Sequence, residues 1–287
     1  MLLGAHVSSA GGVERAPSRG TTVGATAIQI FTKTPSQWHE PALTAHRIEA
    51  FHAAVRASTV SLVVSHDSYL INLASPNRSL RARSLASFVA ELERCAALRI
   101  PYVVTHPGNY MTRRDAGLKR NARAYAEALN RVPGPTILIE TTAGTGTALG
   151  SRFEELAALV DLIPPALRMR VGFCADTCHL FAAGYDLRGA FDAVWSAWDR
   201  VLGLERLRVL HLNDSKHPLG SRRDRHELIG QGTLGADPFR RLMRDGRFRP
   251  VAKIIETPKG DDPVRTDRRM LRRLRAYARV RRSRSSP

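Results

Sequence analysis

The chain has 287 residues, 43% of them hydrophobic, which is enough for one large core. Its 44 Lys and Arg against 26 Asp and Glu give a formal net charge of +18, a balance that calls for a polyanionic partner, nucleic acid ahead of an anionic membrane. No apolar run reaches the roughly eighteen residues of a spanning helix, MLLGAHVSSAGG lacks the basic start of a secretory signal, and Cys95, Cys174 and Cys178 make no disulfide framework, so a reducing cytoplasm is the expected location.

Along the chain, short apolar runs alternate with longer segments of helical period. The runs cover residues 2–7, 27–31, 61–65, 101–105, 136–139, 171–175, 207–212 and 251–255. Helical patterns cover 43–57, 84–98, 120–129, 153–162, 191–201 and 237–244. The runs are apolar throughout rather than alternating, as in strands buried on both faces. Eight strands interleaved with helices in a chain of this length predict a single (β/α)8 barrel; a doubly wound open sheet has the same periodicity and is the competing architecture. From residue 268 to the end there are nine arginines and no acidic residue. Met270, Leu271, Leu274, Tyr277 and Ala278 give that stretch an apolar stripe, so a last helix is expected there. Residues 1–279 are read as the barrel domain and 280–287, VRRSRSSP, as a basic disordered tail.

The strand ends carry the chemistry. The third run ends in His66 (LVVSHD), the fourth in His106 (YVVTHP) and the fifth in Glu140 (ILIET). The sixth ends in Asp176, with His179 three residues on (FCADTCH), the seventh in His211 and the eighth in Glu256 (KIIETP). In a (β/α)8 barrel these ends converge on one face. The polar loop after the seventh run adds Asp224 and His226, two apart and so on one side of an extended segment. Buried His, Asp and Glu clustered without partners or metal cost several kcal/mol each. Nine such residues are too many for one tetrahedral ion and suit three. Glu140 and Asp176, carboxylates at adjacent strand ends, are the expected bridging groups. Paired ions serve phosphoryl displacement, so a basic protein with this cluster reads as a phosphodiesterase acting on nucleic acid.

Several motifs in order resemble those of the endonuclease IV family of apurinic/apyrimidinic (AP) endonucleases: GAHVSSAGG from Gly4, FTKTPSQW from Phe31, HDSYLINLA from His66 and HPG from His106. They continue with ETTAGTG from Glu140, DTCHLFAAGYDLR from Asp176, HLNDSK from His211, DRHELIGQGTLG from Asp224 and ETP from Glu256. The resemblance implies a (β/α)8 barrel with three zinc ions, manganese being an alternative occupant. It implies His66, His106 and Glu140 around one ion, Glu140, Asp176, His211 and Glu256 around the second, and His179, Asp224 and His226 around the third. Tyr69 and Leu70 match the side chains that wedge the duplex open at a lesion, and Gln37 the one that fills the emptied stack. In Thr34-Pro35-Ser36-Gln37, Ser36 stands where some members carry arginine. The implied reaction is hydrolysis of duplex DNA 5′ to an abasic site, with Glu140 catalytic, leaving a 3′-hydroxyl and a 5′-deoxyribose phosphate. A 3′-phosphodiesterase activity and a monomeric state are expected with it.

Other signals weigh less. Arg225, flanked by two candidate ligands, should point the opposite way and clamp a phosphate; Lys33 and Lys216 are similar candidates. GxGxxG at Gly230 to Gly235 follows a ligand loop rather than a strand, so no nucleotide cofactor is expected. Cys174 and Cys178 are read as packing residues, His39, His46 and His52 as solvated, His217 as loop surface and His6 as lining the pocket. The alternative enzyme class is a metal-dependent sugar isomerase or epimerase of the same barrel type.

Overall fold

The structure is a computed structural model describing residues 1–279; the segment 280–287, expected to be a disordered tail, lies outside the described residues. Eight parallel strands close into a barrel: β1 (Leu3–His6), β2 (Ala27–Ile30), β3 (Leu62–His66), β4 (Tyr102–Thr105), β5 (Thr136–Glu140), β6 (Val171–Asp176), β7 (Leu207–His211) and β8 (Ala252–Ile255), with β8 pairing both β7 and β1. The barrel was the sequence expectation, and the open sheet is set aside.

Both faces of each strand are buried, for different reasons. Ala27, Val64, Val104, Leu138, Cys174, Val209, Ala252 and Ile254 point inward and fill the barrel, while residues of the other parity, such as Ile28, Val63, Val103, Phe173 and Ile255, join the core beneath the helices. Gly4 permits the tightest approach in the ring: a Cβ there would lie 1.5 Å from the Ala27 carbonyl oxygen. Only glycine lets β1 lie against β2 in the register that sets His6 opposite Gln29.

Nine helices in the described residues surround the barrel: α1 (Ala16–Val23), α2 (Ala45–Arg56), α3 (Arg78–Ala97), α4 (Arg114–Arg131), α5 (Phe153–Asp161), α6 (Thr177–Ala183), α7 (Phe191–Leu202), α8 (Asp237–Arg244) and α9 (Pro263–Ala278). Two of them, α1 and α6, were not anticipated. The α1 sequence APSRGTTV has weak intrinsic propensity and is helical because it docks Ala16, Pro17, Gly20 and Val23 on the barrel. Helix α3 begins earlier than its apolar periodicity, because the Asn77 side chain accepts the Leu80 N–H at 3.0 Å and caps a polar first turn. Helix α9 opens on Asp262, which caps the Arg265 N–H, and on Pro263 at the first helical position; it buries Met270, Leu271 and Leu274 as expected. No helix among the described residues is long and apolar enough to cross a membrane.

Candidate metal centre

The inward parity of the strands continues for one more residue at their C-terminal ends, and there every strand changes chemistry. Two positions above the apolar layer stand His6, Gln29, His66, His106, Glu140, Asp176, His211 and Glu256, one from each strand of the ring. Glu140, Asp176 and His211 are fully buried, and Gln29 is too. The other three candidates arrive from outside the strands. Helix α6 begins where β6 ends, and Asp176 is its cap, accepting the His179 N–H at 2.9 Å, so one residue both joins the cluster and aims His179 into it. A short two-stranded pairing of Asp214–Ser215 with His226–Glu227 brings Asp224 and His226 over the same face.

Glu140 is the hub. Its Oε2 lies 3.1 Å from His66 Nε2 and 3.0 Å from His106 Nε2, and its Oε1 lies 2.9 Å from His211 Nδ1. Glu256 Oε2 lies 3.3 Å from the same His211 nitrogen. On the outer side, Asp224 spans His179 Nε2 at 3.1 Å and His226 Nε2 at 3.2 Å, with Asp176 3.6 Å from the latter. Among the described residues five groups have ligand atoms within 4.8 Å of one another: His66, His106 and Glu140; Glu140, Asp176, His211 and Glu256; Asp176, His179 and His226; Glu140, Cys174 and His211; and Cys178, Asp224 and His226. The set expected from the sequence, His179, Asp224 and His226, is not brought together as one group: Asp176 joins the two histidines, and Asp224 groups with His226 and Cys178 instead.

Hydrogen bonds on the far side of each ring decide which nitrogen faces the cluster. Three donate Nδ1–H to a main-chain carbonyl: His66 to Asp67 at 2.9 Å, His179 to Thr141 at 2.8 Å and His226 to Glu256 at 3.2 Å. The fourth, His211, is turned over: its Nε2 meets Gln29 Oε1 at 2.8 Å. In each case a neutral ring would turn a lone pair toward carboxylate oxygens, acceptor against acceptor, so the carboxylates favour positive charge there, from a cation or a ring proton. His179 Nε2 and His226 Nε2 are buried with carboxylate oxygens beside them, Asp224 facing both and Asp176 facing the second, and no donor reaches either. A cation between these atoms removes both problems, and imidazole nitrogen with carboxylate oxygen is a donor set suited to zinc or manganese. The protein's own electrostatics are tuned to the same end. Burial opposes charge on His66, yet the hydrogen bond and charge of Glu140 raise its pKa to about 10; burial likewise opposes charge on His226, which Asp176 and Asp224 raise to about 9. Burial tends to raise the Glu140 pKa, but His211 and His106 hold it well below the carboxylate range.

Sequence reasoning missed Gln29. Its amide also donates to Glu256 at 2.6 Å and lies 3.0 Å from His6 Nδ1, so a neutral side chain fixes two candidate ligands at once. The available signal was its inward parity with Ala27. Burial pushes the Cys174 and Cys178 thiols up to about 12, in keeping with packing. Lys33 is a correction: it is 5% exposed, with Nζ on the Ser87 carbonyl and hydroxyl, because the chain turns after Ile30 and sends it against α3. His52 is half-buried beside Phe51 rather than solvated.

The rim above the cluster is built from the loops after the strands. Tyr69 is 68% exposed, edge-on to Phe31 at 6.5 Å, with Leu70 half-buried behind it and Gln37 exposed on the loop after β2. The Ser68 hydroxyl donates to the Pro35 carbonyl at 2.5 Å, joining those two loops. Asn72 accepts the Asn109 N–H at 3.0 Å, Tyr110 N–H donates to Thr147 at 3.0 Å, and the Thr145 hydroxyl donates to Arg222 at 2.6 Å. Hydrogen bonds thus link the loops after β2, β3, β4, β5 and β7 in turn. Arg225 and Lys216 are exposed on the last of these, with Arg225 Nη1 folded onto the Asp224 carbonyl at 2.7 Å.

Known proteins are similar to this chain in sequence and fold. Residues 20–274 match the family described as Xylose isomerase-like TIM barrel. A curated protein of Chloroflexus aggregans named "Probable endonuclease 4" is 50% identical over 282 residues, covering 96% of this chain and 98% of its own. One of the same name from Geobacter sulfurreducens is 46% identical, covering 94% and 95%. The crystal structure of endonuclease IV from Thermus thermophilus superposes with a TM-score of 0.86 at 40% identity, covering 96% of this chain and 98% of that one. D-Psicose 3-epimerase from Clostridium cellulolyticum, at 14% identity and a TM-score of 0.66, shares the fold alone. With relatives this similar along nearly its whole length, the chain belongs to the endonuclease IV family.

Proposed function

We propose that this protein is an AP endonuclease of DNA repair, hydrolysing duplex DNA on the 5′ side of an abasic site. The observation that carries the reading is the set of imidazole nitrogens held inward against shared carboxylates at one end of the barrel. His66, His106 and Glu140 would hold one ion, Glu140, Asp176, His211 and Glu256 a second, and His179, Asp224 and His226 a third, with zinc the favoured metal and manganese its alternative. Bound there, divalent ions supply Lewis acidity for a water attacking phosphorus and for the departing oxygen.

The chain's own residues do the rest. Glu140, buried and surrounded by histidines, stays ionised, belongs to the first two sets and lies 3.4 Å from His179 Nδ1 beside the third. Gln29 fixes the His211 tautomer, and the Asp67, Thr141 and Glu256 carbonyls fix His66, His179 and His226. Tyr69 and Leu70 enter the duplex where stacking is already interrupted, Gln37 occupies the space left by the missing base, and Arg225 meets a backbone phosphate. Water adds to phosphorus, the bond to O3′ breaks, and the products are a 3′-hydroxyl and a 5′-deoxyribose phosphate. The same site fits removal of blocked 3′ ends. A sugar isomerase or epimerase shares the barrel, but a neutral sugar gives no use to an exposed aromatic wedge beside the site.

The test is elemental analysis of the purified protein together with cleavage of a duplex carrying one abasic site. Bound divalent metal and a single cut 5′ to the lesion, with ends a polymerase extends, are expected. Prolonged chelation at mildly acidic pH should abolish the cut, and brief chelation at neutral pH should act slowly. Full activity in a metal-free preparation, or epimerisation of a ketose with no cleavage, would overturn the reading.

A further inference from the structure

Helix α9 and its C-cap carry seven arginines, Arg265, Arg268, Arg269, Arg272, Arg273, Arg275 and Arg279. None of them pairs with a carboxylate among the described residues. The one acid within the helix, Asp267, is buried and bonded to Lys259 at 2.9 Å, and Asp262 is used as the cap. Arginines elsewhere behave differently: Arg47, Arg131, Arg240 and Arg241 meet Glu14, Glu127, Asp237 and Asp192. Arg268, Arg273 and Arg275 tie α9 to the Thr22, Ile229 and Gly24 carbonyls, which accounts for three of the seven. Arg265, Arg269, Arg272 and Arg279 are exposed and bind no other element through their side chains. Neighbouring α8 adds Arg244, which caps α9 through the Tyr277 carbonyl at 2.8 Å.

That surface works against the helix that bears it. Arg265 and Arg269, Arg268 and Arg272, and Arg269 and Arg273 are like-charged neighbours at i and i+4, each pair unfavourable. A merely solvated helix gains from glutamates at such positions, and this one has none. Salt screens this repulsion in part, and a polyanion lying along the ridge converts it into attraction. In a (β/α)8 barrel the helices run back from the face that carries the site, so the ridge descends the outer wall away from the metal centre. From Arg265 to Arg279 it is about 21 Å long, the rise of about six phosphates of one strand of duplex DNA.

We infer that the α9 ridge is a second DNA-binding surface, which takes the phosphate backbone of undamaged duplex independently of the lesion site. The inference rests on the reading of the protein as a DNA enzyme; it adds a place where the chain holds DNA that it is not cutting. Binding of this kind carries no sequence information and allows sliding.

The experiment compares salt titrations of binding to an intact duplex for three fourfold variants. In the first, Arg265, Arg269, Arg272 and Arg279 become Gln. In the second, the same four become Lys. In the third, Arg56, Arg123, Arg131 and Arg200, exposed on α2, α4 and α7, become Gln. Thermal melting confirms that each is folded. The log–log slope should flatten by about 0.9 for each phosphate no longer neutralised, about 3.6 for the first set, return with Lys and stay unchanged in the third. Turnover on a saturating short abasic duplex should equal that of the parent in all three. An unchanged slope in the first set, or an equal loss in the third, would overturn the inference. Failure of the parent to cut abasic DNA would instead sink the repair reading, and the slopes on intact duplex would still report on the ridge.

Discussion

Two layers of the same eight strands, two residues apart, do opposite work. The lower inward layer holds Val64, Val104, Leu138, Cys174, Val209 and Ile254, a dry cluster that closes the barrel. The upper layer holds His66, His106, Glu140, Asp176, His211 and Glu256, a crowd of polar atoms that strain one another. The lower layer makes the upper one possible. Side chains that push charge and lone pairs together hold their positions only on strands fixed by packing beneath them. Stability and chemistry are thus separated by about one strand repeat, and substitutions can address either one.

The largest effect should come from the upper layer. Glu140→Gln keeps the shape and removes the charge that four histidines, His66, His106, His179 and His211, converge on, so kcat should fall at least about a hundredfold, with melting temperature and DNA binding largely retained. Wild-type turnover in this variant would remove Glu140 from the role proposed for it. Directly beneath, Leu138→Ala should invert the pattern. Leu138 is fully buried in the barrel, and its truncation should cost about 2–5 kcal/mol in denaturant unfolding while the folded fraction still cuts. If Leu138→Ala lost turnover without losing stability, the layers would not be separable.

Gln29 tests how the upper layer is aimed. Gln29→Met keeps its length and removes the acceptor that sets the His211 tautomer; metal affinity should drop about ten- to hundredfold, measured by competition with a chelating dye. Unchanged affinity would mean that Gln29 only fills space. The smallest effect belongs to the rim. Tyr69→Ala should reduce preference for abasic over intact duplex more than it reduces overall affinity, because the phosphate backbone supplies most non-specific binding. Equal loss on both duplexes would assign Tyr69 a packing role.

Much of this was legible in the chain because both layers share one period. An apolar strand that ends in His, Glu or Asp at inward parity announces a buried polar group with company, and six consecutive strands do so. The order of the strands and the convergence of nine residues follow once the barrel is assumed. Gln29 was hidden because a neutral amide inside AIQI bears no charge to mark it, and its importance lies in what His211 needs on its far side. Lys33 was misread because position after a strand says nothing about direction once the chain turns, and its amine found the Ser87 carbonyl instead of solvent. Helix α1 was invisible since only docking makes APSRGTTV helical.

The linked rim has a consequence for association. Ser68 to Pro35, Asn72 to Asn109, Tyr110 to Thr147 and Thr145 to Arg222 hold loops from five strands in one hydrogen-bonded belt. Loops that move separately must each lose conformational freedom when a ligand arrives, and that loss subtracts from affinity. Here it is met during folding. The proposed wedge should therefore enter DNA as a single rigid tool, with the deformation carried by the duplex and not by the protein.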